Sequence, residues 1–137
     1  MSTQVEEKQA LVGAYLASGT IGNVGLPGAP IAHFKLVVAP GSNSVSGTVE
    51  ITQAILGPNS NIIVKNVHGK IYATGYGSVT KVVSLEGEYN HYLTPPAIGV
   101  IQEKFTAHLV LDDEWKGRGG FTYGNTSIED VPVKPEN

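Results

Sequence analysis

Glu86, Glu88, Tyr89, His91 and Tyr92 crowd one short segment just before Pro95-Pro96. An imidazole and a carboxylate can pass a proton as base and acid, and a phenol can donate a hydrogen bond to a developing oxyanion. Loop residues held on a rigid β scaffold are where binding groups usually sit. Tyr and His also anchor loops by packing, and no spacing here is diagnostic of catalysis. Structural packing is therefore the leading expectation for this segment. Tyr89, His91 and Tyr92 stand as candidate binding residues, and no residue is assigned a catalytic role.

Glu103 is the fourth candidate. It shares an alternating face with Ile101, Phe105, Ala107, Leu109 and Leu111, all apolar. In a closed barrel that face would aim the carboxyl at a cavity, where burial would favour its neutral form and suit it to act as a base or ligand anchor. In an open sandwich it would lie past the edge of the core, and this second reading is the expected one. His33, His68 and His108 each fall on the polar or mixed face of an expected strand. None is spaced from another histidine as metal ligands are, so surface imidazoles are expected and no metal or cofactor.

Other chemistries are excluded by composition or order. The 137-residue chain has no cysteine, which removes disulfides, thiolate catalysis and Cys-ligated zinc. Twelve acidic residues against nine basic give a net charge of −3 and no basic face for nucleic acid or anionic membrane. The glycines from Gly19 to Gly28 lack the phosphate-loop order, no G-x-S-x-G is present, and Arg118-Gly-Gly-Phe-Thr-Tyr123 has the wrong order for an RNA-binding strand. Asn125-Thr-Ser127 fits the glycosylation triplet, which has meaning only in a secreted protein. The polar, acidic start does not read as a signal peptide, and no apolar run approaches the ~18 residues of a membrane span. The expected setting is cytoplasmic.

The elements that must position these residues read as strands. Ile31–Ala39 puts Ala32, Phe34, Leu36 and Val38 on one face. Val45, Gly47, Val49 and Ile51 alternate with Ser46, Thr48, Glu50 and Thr52. The spacing predicts further strands over Ala10–Ala17, Ile62–Thr74 with a bulge at Gly69, Val79–Leu85, Ile98–Leu111 and a short one from Phe121. Loops are expected over Ser18–Pro30, with room for an edge segment, over Glu86–Pro96, where Glu86–Tyr89 can instead extend the preceding strand, and over Asp112–Gly120. No helix-length crossover is available for a parallel sheet. One all-β domain of about seven strands follows, an antiparallel sandwich or flattened barrel over residues 10–125. Residues 1–9 are expected as a flexible lead and 126–137 as an extended tail.

One stretch resembles a known family. Gly28-Ala-Pro-Ile-Ala-His-Phe-Lys-Leu-Val-Val-Ala39 followed by Val45-Ser-Gly-Thr-Val-Glu-Ile-Thr-Gln-Ala54, and more loosely Ile71-Tyr-Ala-Thr-Gly-Tyr76, is similar to a family of small bacterial proteins classed as a domain of unknown function. The likeness covers about half the chain. It implies a bacterial origin and assigns no activity or site residue. The expected function is a non-catalytic binding or protein-interaction module, with an unidentified protein partner or with self-association through an edge strand. The alternative is a small-molecule-binding barrel, such as an isomerase or cyclase, using Glu103 or the His91 segment. A wide interior would separate the two.

Overall fold

The computed structural model describes residues 13–76 and 79–136. The chain forms eight strands: β1 (Tyr15–Ile21), β2 (Ile31–Ala39), β3 (Ser44–Thr52), β4 (Asn61–Tyr76), β5 (Val79–Tyr92), β6 (Val100–Leu111), β7 (Gly117–Tyr123) and β8 (Thr126–Pro135). Each pairs antiparallel with the next, and β8 pairs with β1, so the sheet is a closed up-and-down barrel. The all-β antiparallel expectation holds, as a barrel with one strand more than the alternation indicated.

Alternation drives the closure. Phe34, Leu36, Val38, Val49, Ile51, Val64, Val83, Phe105, Leu109, Leu111 and Phe121 point inward and are buried. The outer wall carries Lys35, Glu50, Lys65, His68, Glu86, Glu88, Lys104 and His108. This apolar-in, polar-out arrangement is the inverse of a barrel that spans a membrane. No helix among the described residues is long and apolar enough to cross one. Val38, Val49, Val64, Phe105, Leu109 and Phe121 are 0–1% exposed, so they touch no space that would admit a water. At this strand number side chains can fill the lumen, and here they do.

Three expected loops are shorter than their composition suggested. β1 runs to Ile21, so the Ser18–Pro30 loop begins only after it; β5 runs through Glu86 to Tyr92; and Gly117 to Gly120 belong to β7. Residues 126–135 of the expected tail are β8, whose pairing with β1 closes the barrel from Gly19↔Pro135 to Ile21↔Val133. The Ser18 hydroxyl and the Glu136 amide extend that seam, each bonding the other residue's carbonyl at 2.8 Å. The expected lead, residues 1–9, and the start of the first expected strand lie outside the described residues.

Gly69 is no bulge. It pairs in register with Val45 and Leu85, and a Cβ there would sit 1.7 Å from the Ser84 carbonyl oxygen. Glycine is required by close strand approach rather than by a bend. The irregularities fall between Gly47 and Val49 on β3, between Ala73 and Tyr76 on β4, and between Gly119 and Phe121 on β7.

One end of the barrel is plugged by Trp115. Its indole N–H donates to the Tyr15 hydroxyl at 3.2 Å, and its ring lies 5.9 Å from that of Phe34. Lys81 Nζ sits 5.7 Å above the same ring. Trp115 takes a left-handed backbone, φ 66°, inside a turn tied by Asp112. The Asp112 carboxylate accepts the Glu114 and Lys116 amides at 2.8 and 3.0 Å. Chiefly the Lys116 amide bond holds that carboxyl below the usual carboxylate range.

Candidate functional site

The opposite end gathers the sequence candidates. Tyr89, His91 and Glu103 face inward at this mouth because β5 and β6 pair Tyr89 with Glu103 and His91 with Ile101. His91 Nδ1 lies 3.3 Å from Glu103 Oε1. The Tyr89 ring is buried, and its phenol is pushed up to about 12 by that burial, then by the Glu103 and Tyr123 charges. It is therefore a standing hydrogen-bond donor at neutral pH. Gly124, at φ 55°, closes over the pair, and a Cβ there would fall 2.1 Å from Glu103 Oε2. Glu103 thus sits at the end of a closed barrel rather than past the edge of a sandwich.

Tyr92 departs from this group. Its ring points to the outer wall and is half exposed, while its backbone is gripped by Asn59. The Asn59 carboxamide donates to the Tyr92 carbonyl at 2.8 Å and accepts the Tyr92 amide at 3.1 Å. Gln53 holds Asn59 in turn, donating to its carbonyl at 2.8 Å, and accepts the Tyr123 hydroxyl at 2.8 Å. Burial raises the Tyr123 phenol as well, partly offset by a hydrogen bond with Thr126. Gln53, Asn59 and Tyr123 escaped the sequence reading, since the β3–β4 connection and the end of β7 are distant in the chain.

The Asn59 clamp spans a split in the wall. The β4–β5 ladder runs from Tyr76↔Val79 to His68↔Glu86 and stops. Beyond it, β4 residues 61–64 and 67 pair only with β3, and β5 residues 87–92 only with β6. A register break opposite Thr48 turns β4 away, because Gly47 pairs with Val67 but Val49 with Val64. A cleft of about 420 Å³ opens there, with Asn61, Ile63, Lys65, Glu88 and Asn90 along its sides and Ile62 and Tyr89 behind them. Strand parity fixes which backbone groups face it. Tyr92 bonds across the split, and the Leu93 amide bonds the Gly99 carbonyl on the β6 side at 3.0 Å. The backbone groups of Glu88 and Asn90 therefore turn toward the cleft, and those of Tyr89 and His91 toward β6.

The outer wall pairs the remaining histidines. His68 meets Glu86 at 3.2 Å, His108 meets Glu129 at 3.5 Å and His33 meets Glu136 at 3.7 Å. These are exposed cross-strand pairs of one imidazole and one carboxylate each. No group of three potential metal ligands occurs among the described residues.

The geometry thus defines a filled antiparallel eight-stranded barrel with a hydrogen-bonded mouth and a split in its wall between β4 and β5. The chain belongs to the family of the domain of unknown function DUF1842, whose pattern matches residues 12–128, most of the chain rather than half of it. No curated protein matches the sequence.

Proposed function

We propose that the protein is a non-catalytic interaction module that takes an extended strand of a partner protein into the β4–β5 split. The observation that carries this reading is the broken ladder. Over Glu88 and Asn90 the β5 edge has no β4 residue paired with it in the ladder. At Tyr92 the same edge is already met by an amide, that of Asn59, bonded as a neighbouring strand would bond it. A peptide strand carries the same chemistry in series, and pairing along an open edge is a general mode of peptide recognition. Ile63 and the Tyr92 ring, both half exposed, flank the cleft and offer apolar contact to alternate peptide side chains.

The alternative, a small-molecule barrel with isomerase or cyclase chemistry, has the His91–Glu103 pair and the Tyr89 donor in its favour. Against it stand Phe105 and Phe121, which fill the space below that pair. A bacterial, cytoplasmic setting remains part of the proposal, from the resemblance and the cysteine-free composition.

The test is selection of a displayed random-peptide library on the immobilised protein, repeated on Asn90→Pro. Proline at 90 deletes the amide that faces the cleft. Peptides enriched on the wild type should bind Asn90→Pro at least about tenfold more weakly, a loss of roughly 1.4 kcal/mol. Equal binding to both proteins, or no enrichment on the wild type, would count against the proposal.

A further inference from the structure

The four connections at the mouth end share a property that the cleft does not explain. They are residues 22–30, 53–60, 93–99 and 124–125, and none contains a charged residue. The three longer ones present uncovered apolar side chains. Leu56 is fully exposed, Ile98 is 96% exposed, and Val24, Leu26 and Ile55 are each exposed by half or more. At the opposite end the β6–β7 turn holds Asp112, Asp113, Glu114 and Lys116, while the connections 40–43 and 77–78 are uncharged but carry no large aliphatic residue. Up-and-down topology brings the apolar tips to one end, where they form an uncharged crown.

We infer that this crown is a self-association surface that meets the crown of a second copy of the chain. Two physical points select that occupant. A two-fold contact sets each residue against its own surface patch, so a charged face would oppose itself. In a protein of net charge −3 this end can meet its copy without like-charge repulsion. A group of uncovered aliphatic side chains also has the composition of a homodimer interface core, which is apolar and depleted of charge. A lipid surface fits less well. Irregular backbone is not tolerated in hydrocarbon, and the crown connections lack the basic and aromatic residues that hold a protein at the headgroup layer.

The experiment is sedimentation velocity of the full chain across a concentration series. The wild type should pass from monomer to dimer. Leu56→Glu combined with Ile98→Glu should weaken the dimer by on the order of 100-fold, since like charges facing each other cost several kcal/mol. At a concentration where both proteins are monomeric its melting temperature should match that of the wild type, because both side chains are exposed. Asn90→Pro, which acts on the cleft, should leave the dimer intact. The inference is overturned if the wild type stays monomeric near 1 mM, or if the doubly charged variant dimerises as well as wild type. It is also overturned if Asn90→Pro abolishes the dimer, which would move self-association to the cleft. Binding of monomeric wild type to phosphatidylcholine vesicles, lost in Leu56→Glu, would overturn it in favour of lipid.

Discussion

Replacing Asn59 with alanine removes a side chain that bonds β5 across the split. Two hydrogen bonds are lost, to the Tyr92 carbonyl at 2.8 Å and from the Tyr92 amide at 3.1 Å. Each such bond contributes a net 0.5–1.5 kcal/mol or so, which sums to about 2 kcal/mol. Asn59 is itself buried, and its loss leaves both Tyr92 groups to whatever water reaches them, so the figure stays above a surface substitution. At about 4 °C per kcal/mol for a chain of this size, the melting temperature should fall by about 8 °C. Asn59→Asp is a sharper probe. It keeps the acceptor for the Tyr92 amide but sets a carboxylate oxygen against the Tyr92 carbonyl, so at neutral pH it should cost at least as much as alanine. Urea unfolding gives the energies, and residue-resolved hydrogen exchange should show the Tyr92 amide losing protection in Asn59→Ala while Val83 and Leu85 keep theirs. A change under about 0.5 kcal/mol with Tyr92 still protected would refute the reasoning.

Tyr89→Ala should cost about 3–5 kcal/mol in urea unfolding, as truncation of a buried aromatic does, whereas Tyr92→Ala should cost under about 1 kcal/mol because its ring is half exposed. Equal costs would mean that the two rings do not face opposite sides of β5. The raised Tyr89 phenol makes a pH prediction. Its stabilisation is fully present below the ordinary tyrosine range and is lost as pH rises toward about 12. Across that window the wild type should lose up to about 2 kcal/mol relative to Tyr89→Phe, allowing for water at the mouth. Parallel pH–stability curves would refute the assignment. Asp112 works in the other sense. Its lowered carboxyl stabilises the Trp115 turn above the ordinary aspartate range and stops doing so as pH falls through its depressed value. Trp115 fluorescence should report that loosening in the wild type, and Asp112→Ala should already be loosened at pH 7.

The strands were legible because a barrel with a filled lumen writes its inner wall into every second residue. Phe34, Leu36 and Val38 on β2 and Phe105, Ala107, Leu109 and Leu111 on β6 read correctly from alternation alone. The end of β5 reads as a loop because of Gly87, Asn90 and Pro95-Pro96, although Glu86–Tyr89 can extend the preceding strand. Its period of two was still present, with Glu86, Glu88 and Asn90 outside and Leu85, Gly87 and Tyr89 inside. The C-terminal segment read as a tail because of Pro132, which cannot donate to a ladder. Its nitrogen faces β1, where only its carbonyl is used, by the Gly22 amide at 3.0 Å. Tyr89, His91 and Glu103 were singled out one by one, and pairing of β5 with β6 brings them together. Asn59 and Gln53 were not legible. Their roles depend on where β4 leaves β5, and that departure follows from a register break with no local sequence signal.

Proline scanning of β5 tests the open edge most directly. Asn90 and His91 are neighbours on one strand, but the Asn90 amide faces the split and the His91 amide faces Ile101 across the β5–β6 ladder. Proline on an open edge is tolerated, whereas within a paired strand it removes a ladder bond. Thermal and urea unfolding of the two variants should therefore diverge. The expected result is a small loss for Asn90→Pro, near 1 kcal/mol or less, and a loss of about 3 kcal/mol or more for His91→Pro. Similar large losses for both variants would mean that β4 and β5 are paired along their whole length, and that there is no split for a partner strand to enter.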